Sequence, residues 1–389
     1  MKLVNLDWLE VFLLEAAEPE PRDAAFFLRR GFQVDAREFG TPQYRDVFVL
    51  YDAEHFPMFE IRRNPYSLKS EGGIFDARAC HLRFANRFCY QANCINQLRD
   101  FILQFGYEYK GITRVDVCCD CNSFDDKTDP QKFLNRFMAG RFLKIHQSKL
   151  AAHGIEFLTP LQVATGANMS AYASETIGGR VFNSIKWGAP TSAVSTKLYN
   201  KSLELAQGKP KKYIQARWKT AGLTNEPACP VWRVEFSLKS SARSFVRLDT
   251  GELFYLNLTT IDTPEKLSGL FHALTQIYFH FKRVCYTRNG TFQRKDRCPD
   301  YFPFRYNQSG RMKLVRLPLT RDPNRTDKMI MRRLASYWQD EFADLTSSEK
   351  RGLIDFMTFL SNRFDESELR QFEERGEAFM LLLRPYHLD

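Results

Sequence analysis

The chain has 389 residues, 44% hydrophobic and 14% aromatic, with a formal charge of +10. That composition excludes a disordered chain, and no apolar run is long enough to span a bilayer as a helix. The length predicts two or three domains, not one small core. The opening "LDWLEVFLLEAAEPEP" is apolar only briefly, carries Asp7, Glu10 and Glu15, and has no basic start. It does not read as a signal peptide, and a cytoplasmic, membrane-free protein is expected.

In chain order, strand patterns occur at "LDWLEVFLLE", "QYRDVFVLYD", "MFEIRRN", "CHLRFANRFCY", "ITRVDVCCD", "RVFNSIKWG", "STKLYNKSL" and "VWRVEFSLK". Helical patterns lie between them over 21–32, 94–105, 129–142 and 209–220. Several strands follow one another without a helix, as over 180–205. This predicts an α+β domain with a mixed, largely antiparallel central sheet and flanking helices.

Beyond about residue 255 the pattern changes. Pro264 stands at a first-turn position of a predicted helix. An irregular basic segment follows over 284–325, and then two amphipathic helices. One carries Ile330, Leu334 and Trp338; the other opens on the capping box Thr346–Glu349 and carries Leu353, Met357, Leu360 and Phe364. The expected organisation is a catalytic or binding core over 1–254 and a basic, mainly helical region over 255–389.

Nine cysteines, an odd number, fit a reducing compartment. Cys118 and Cys121 have metal-site spacing, but Cys285 and Cys298 supply no matching pair. Reduced thiols packed in a strand are expected.

The charge is unevenly spread. Between Lys282 and Arg333 there are 15 Lys or Arg against Asp296, Asp300, Asp322 and Asp327, so this segment carries +11 of the chain's +10. Aromatic residues interleave the cations in "RVCYTRNGTFQRKDRCPDYFPFRY", which suits stacking on bases beside phosphate pairing. Arg294, Lys295 and Arg297 in that stretch, and Arg332 and Arg333 beyond it, are expected to contact DNA.

Three strands carry unusual polar faces. In "GITRVDVCCDC", alternation puts Arg114, Asp116, Cys118 and Asp120 on one face and Val115, Val117 and Cys119 on the other. In "VWRVEFSLK", Arg233, Glu235, Ser237 and Lys239 oppose Trp232, Val234, Phe236 and Leu238. In "STKLYNKSLEL", Lys197, Tyr199 and Lys201 share a face on a continuing strand. Grouped carboxylates need a cation or an arginine to be tolerable in a core. A tyrosine with a phenol pKa near 10 becomes a usable nucleophile beside a metal or cations. Each motif alone reads first as a salt-bridged, exposed sheet face.

Their order resembles the trans-acting rolling-circle replication initiators of plasmids, conjugative elements and filamentous phages. "RVDVCCD" is followed by "IKWGAPTSAVSTKLYNKSLEL" and then "WRVEFSLK", and "DWL" at Asp7–Leu9 is similar to the usual opening. The resemblance covers roughly residues 5–250. It implies an enzyme that nicks one strand of a duplex origin with a tyrosine and Mg2+ or Mn2+. A 5′-phosphotyrosine forms, and the freed 3′ hydroxyl primes synthesis. Carried over, Tyr199 is the nucleophile, aided by Lys201, with Tyr172 and Tyr213 as rivals. Asp116 and Glu235 are metal ligands, and Asp120 is a further one. Lys197, Lys201, Arg114 and Arg233 contact phosphate, and Glu204 completes Y-N-K-S-L-E as a supporting or third carboxylate. Implied partners are duplex origin DNA, single-stranded DNA, a host helicase and a second copy of the chain.

No two histidines are separated by one residue, which excludes a His-hydrophobe-His metal motif, and no GxxxxGK[ST] loop is present. Two other readings share the charge pattern: a non-catalytic DNA-binding protein, and a metal-dependent nuclease that uses water.

Overall fold

A computed structural model of the chain describes residues 1–16, 20–68, 75–147, 155–157, 169–176, 179–189, 192–208, 210–242, 244–247, 253–286, 289–290, 293, 297–305 and 314–316. The chain divides into two units, Met1–Leu317 and Pro318–Asp389, and all described residues belong to the first. The two amphipathic helices expected after residue 328 lie outside the described residues, as do Arg294, Lys295, Arg332 and Arg333.

The fold is α+β. Its strands are β1 (Lys2–Glu15), β2 (Gln33–Ala36), β3 (Tyr44–Tyr51), β4 (Pro57–Pro65), β5 (Ala79–Phe84), β6 (Tyr107–Cys121), β7 (Phe142–Gln147), β8 (Ile155–Phe157), β9 (Met169–Thr176), β10 (Gly179–Trp187), β11 (Val194–Asn200) and β12 (Trp232–Lys239). Five short strands follow: β13 (Ser244–Arg247), β14 (Leu253–Tyr255), β15 (Phe281–Arg283), β16 (Asp300–Tyr301) and β17 (Leu314–Arg316). The helices are α1 (Ala24–Leu28), α2 (Asn86–Cys89), α3 (Cys94–Gln104), α4 (Pro130–Met138), α5 (Lys201–Gln207), α6 (Lys212–Thr220) and α7 (Pro264–Tyr278).

Ten strands form one sheet in the order β2-β3-β4-β5-β1-β6-β12-β11-β10-β9, every neighbour antiparallel. The long strands β1 and β6 sit at its centre. Their register shifts between Leu6 and Trp8, so Asp7 falls between paired positions, a bulge that re-aims its side chain. Smaller sheets run β14-β13-β17 and β16-β15-β7-β8.

The apolar face of the central strands carries Leu9, Val11, Val115, Val117, Val234 and Phe236, all buried. Helix α7 starts on Pro264 behind its Thr263 cap and adds Leu270, Phe271 and Leu274 to this core. Phe271 meets Phe236 with ring centroids 5.4 Å apart. At the other half of the sheet, Phe101 of α3 packs on Phe59 at 4.9 Å. Burial of this kind contributes about 25 cal/mol per Å² of apolar surface, which is why the long central strands can carry polar groups on their other face.

Two predicted strands are shorter than their sequence patterns. "CHLRFANRFCY" leaves the sheet at Phe84, because Phe88 turns to pack on Phe59 and Phe84 while Asn86 donates to the Asp7 carbonyl. "STKLYNKSL" ends at Asn200, whose side-chain oxygen accepts from the Leu203 N–H and starts α5. Lys201 is therefore the first residue of a helix and does not continue the strand face of Lys197 and Tyr199.

Candidate active site

The polar faces of β6, β12 and β11 lie side by side. Register places Asp120 opposite Arg233 and Arg233 opposite Tyr199; one step along, Cys118 is opposite Glu235 and Glu235 opposite Lys197. Asp116 is opposite Ser237, so it stands diagonally from Glu235. The sequence alternation thus brings Asp116, Glu235, Lys197 and Tyr199 together. The face is not an exposed one: Glu235 is 4% exposed, Asp116 3%, and Asp120 and Arg233 0%.

Glu235 is the hub. Lys197 Nζ donates to its Oε1 at 2.7 Å, and the Tyr199 hydroxyl donates to its Oε2 at 3.0 Å. Burial, and then the Glu235 charge, push the Tyr199 phenol well above its ordinary value despite Arg233 nearby. Burial lowers the Lys197 amine, but Glu235 more than offsets it, so the lysine stays charged. Arg114 donates to both oxygens of Asp116, at 3.0 and 2.6 Å. Even so, burial pushes the Asp116 carboxyl up, and Glu235 adds to it.

Beside this, one register step along the same face, lies a second, fully engaged network. Arg233 Nε and Nη2 donate to Oδ1 and Oδ2 of Asp120 at 2.6 and 2.7 Å, and Nη1 donates to Asp7 Oδ1 at 2.6 Å. The Trp218 indole N–H of α6 also donates to Asp120 Oδ2, at 2.7 Å. Asp7 Oδ1 accepts from the Tyr90 hydroxyl at 2.5 Å, and the Asn86 side chain accepts from Tyr213 at 2.6 Å. Burial opposes ionisation of Asp7, yet Arg233, Lys201, Tyr90 and Asn86 hold its carboxyl well below the usual range. Both oxygens of Asp120 are committed to Arg233 and Trp218, and Arg233 faces carboxylates, not solvent.

Lys201 is buried, pairs with Glu204 at 2.6 Å, and lies 5.5 Å from the centre of the Tyr199 ring. Tyr213 sits in α6 on Asn86; Tyr172 lies in β9, opposite Ser184. Arg297 is exposed. Cys118 and Cys121 fall on opposite faces of β6, and burial raises both thiols. Among the described residues no three or more His, Cys, Asp or Glu cluster as a metal cage, and no helix is long and apolar enough to cross a membrane.

Sequence reasoning missed Asn86, Tyr90 and Trp218. They reach the site from helices remote in sequence, and no spacing rule marks them. Asp7 had a signal, the "DWL" opening, but only the bulge shows why its side chain turns to Arg233.

No family model matches the chain, and no curated protein does. Among solved structures, it is similar to the rolling circle replication initiator protein from Geobacillus stearothermophilus, with 12% identity and a TM-score of 0.43, over 77% of this chain and 92% of that one.

Proposed function

We propose that this chain initiates rolling-circle replication or strand transfer by nicking one DNA strand with Tyr199. The observation that carries the reading is the hydrogen bond from the Tyr199 hydroxyl to Glu235, with Lys197 on the other oxygen of the same carboxylate. The order of the three strand motifs, which resembles the trans-acting initiators, supports it.

In this reading the Tyr199 oxygen attacks the phosphorus of a phosphodiester and its proton passes to Glu235 Oε2. The P–O3′ bond breaks and the departing O3′ takes up the proton that Glu235 received, leaving a 5′-phosphotyrosine, a 3′ hydroxyl and Glu235 ionised again. A raised phenol pKa makes an acceptor necessary, and the hydrogen bond already defines the path of the proton. Lys197 and Arg114 flank the carboxylates with cationic groups that would bind the phosphate oxygens, where negative charge develops. The Arg233–Asp120–Asp7 network ties β12, β6 and β1 together beside Tyr199. Asp120 then acts by fixing Arg233, and Glu204 by holding Lys201 against the tyrosine ring.

Asp116 and Glu235 fit a divalent cation. They are buried carboxylates on adjacent strands, the Glu235 charge raises the cost of ionising Asp116, and a cation there would take the place of the Arg114 or Lys197 hydrogen bonds their oxygens now accept. Mg2+ or Mn2+ held there would polarise the scissile phosphate. Duplex origin DNA, a host helicase for unwinding and a second copy for termination belong to the same proposal, as does DNA contact by Arg294, Lys295, Arg297, Arg332 and Arg333.

The test uses supercoiled DNA carrying the gene and its flanks, with Mg2+ or Mn2+, and compares wild type with Tyr199→Phe. A protein–DNA adduct that survives denaturation and vanishes in the variant is the expected result. Nicking without an adduct, unchanged in the variant, would favour water as nucleophile. DNA binding without nicking would favour a non-catalytic protein.

A further inference from the structure

The polar face does not end at Arg114. One row of direct cross-strand partners runs Glu60 on β4, Arg83 on β5, Glu10 on β1, Arg114 on β6 and Lys239 on β12. It spans about 20 Å at the usual spacing between strands. At its far end Glu60 is 4% exposed and accepts from three arginines: Arg62 at 2.6 Å, Arg83 at 2.7 Å, and Arg37. Glu60 meets three guanidinium charges there, and Glu10, the partner of Arg83 in the row, is a second anion, so among the described residues the cluster keeps an excess of one positive charge. All three guanidiniums are partly exposed, Arg37 by 50%.

Arg62 presents Nε and Nη2 to Glu60 and Arg114 presents both to Asp116, whereas Arg37 and Arg83 each reach Glu60 through Nη2 alone. Arg83 lies 5.0 Å and Arg114 4.7 Å from the ring of Trp8, whose buried indole N–H has no hydrogen-bond partner among the described residues. The tryptophan therefore fixes two guanidiniums on one aromatic plate, between the Glu60 cluster and the Asp116–Glu235 pair. Other charges face the row: Glu10 lies 3.7 Å from His81, which burial drives towards neutrality, and Asp116 already binds Arg114. With His81 neutral, Glu10 stays available to Arg83, and among the described residues the remaining positive excess lies with Arg37 and Arg62 around Glu60.

We propose that this row binds the phosphates of single-stranded DNA, with Arg37, Arg62 and Arg83 at the distal end, and that the strand turns at Arg114 to reach Tyr199, whose partner Arg233 lies six residues from Lys239 along β12. It rests on the nicking reading for its direction, but not for its test. Planar, partly engaged guanidiniums suit phosphate oxygens bidentately, and an extended strand is the polyanion that can follow a row across five strands of a sheet.

The test uses full-length Tyr199→Phe protein, so that no reaction intervenes, and oligothymidines of about 8 and about 24 nucleotides. The longer strand should bind tighter. In an Arg37→Ala/Arg62→Ala double variant the long-over-short affinity ratio should fall about tenfold, and the salt slope for the long strand should drop by about 1.4, or 0.7 for each lost phosphate contact. Arg62→Lys keeps the charge and should keep most of the ratio. An unchanged ratio and slope would overturn the proposal and leave the cluster as an internal ion-pair network. A loss seen only with duplex DNA would overturn the single-stranded occupant. If the double variant does not fold, the half-exposed Arg37→Ala alone carries the test, with an expected slope change of about 0.7. A collapsed ratio with no adduct from wild type keeps the phosphate row and sinks the tyrosine chemistry; an adduct with an unchanged ratio does the reverse.

Discussion

Tyr199 and Glu235, diagonal neighbours on β11 and β12, share a 3.0 Å hydrogen bond in which the phenol donates and the carboxylate accepts. If Glu235 takes the phenolic proton, Glu235→Gln should cut adduct formation by at least about 100-fold while leaving the tyrosine in place. Tyr199→Phe should remove the adduct entirely. Labelled origin DNA run on a denaturing gel reads both. Full activity in Glu235→Gln would assign the proton to another acceptor.

The Arg233–Asp120 pair is fully buried and doubly hydrogen-bonded. Removing one partner of such a pair leaves a charge without compensation, at a cost of about 3–5 kcal/mol. Asp120→Ala should therefore destabilise the protein by that amount in urea unfolding. Trp218→Phe deletes only the indole donor to Asp120 and should cost about 1–2 kcal/mol. A loss under half a kcal/mol for Asp120→Ala would mean the network does not hold the sheet.

Strand alternation made the polar face legible. The period of two that separates Asp116 from Val117 and Glu235 from Phe236 is a local property, and the ten-stranded sheet keeps it. The order of strands was not legible. β1 and β6 pair at the centre although helices and four strands lie between them, because hydrogen-bonding partners are chosen by the whole core. The helix at Lys201 was missed for a different reason. "STKLYNKSLEL" alternates well as a strand, and one side chain, Asn200, decides the outcome by capping the turn that follows. Trp218 read only as part of a basic helix, since its acceptor is 98 residues away.

That cap yields its own prediction. Asn200 ends the strand that carries Tyr199 and starts the helix that buries Lys201 against the tyrosine ring. Asn200→Ala should lower stability by about 1 kcal/mol, and Asn200→Asp should retain it, because either oxygen can accept from Leu203. Thermal unfolding of the two variants separates a cap from a residue that merely fills space. Equal melting temperatures for both variants would remove the cap from the account.

Lys144 lies buried on β7, with its Nζ donating to the Tyr278 carbonyl and sitting 5.1 Å from the Phe281 ring centre and 5.7 Å from that of Trp187. Burial pulls its amine from 10.5 down to about 7. Between those values the unfolded chain holds a proton that the folded chain has released, so stability rises with pH by about 1.4 kcal/mol per unit. The buried thiols of Cys80, Cys89, Cys94, Cys118, Cys119 and Cys121, pushed up by burial, act in the opposite sense as pH approaches 9, where their unfolded counterparts ionise. The Lys144 effect is therefore read as a difference from a variant that keeps the thiols, and from pH 7 to 8.5 that difference should grow by about 1.6 kcal/mol. Lys144→Met keeps the length and apolar stem but cannot take a proton. It should be more stable than wild type at pH 7, and from pH 7 to 8.5 its stability should follow the thiols alone, without the rise that Lys144 gives wild type. Urea unfolding at several pH values compares the two slopes directly, and parallel slopes would mean that Lys144 stays charged in the fold.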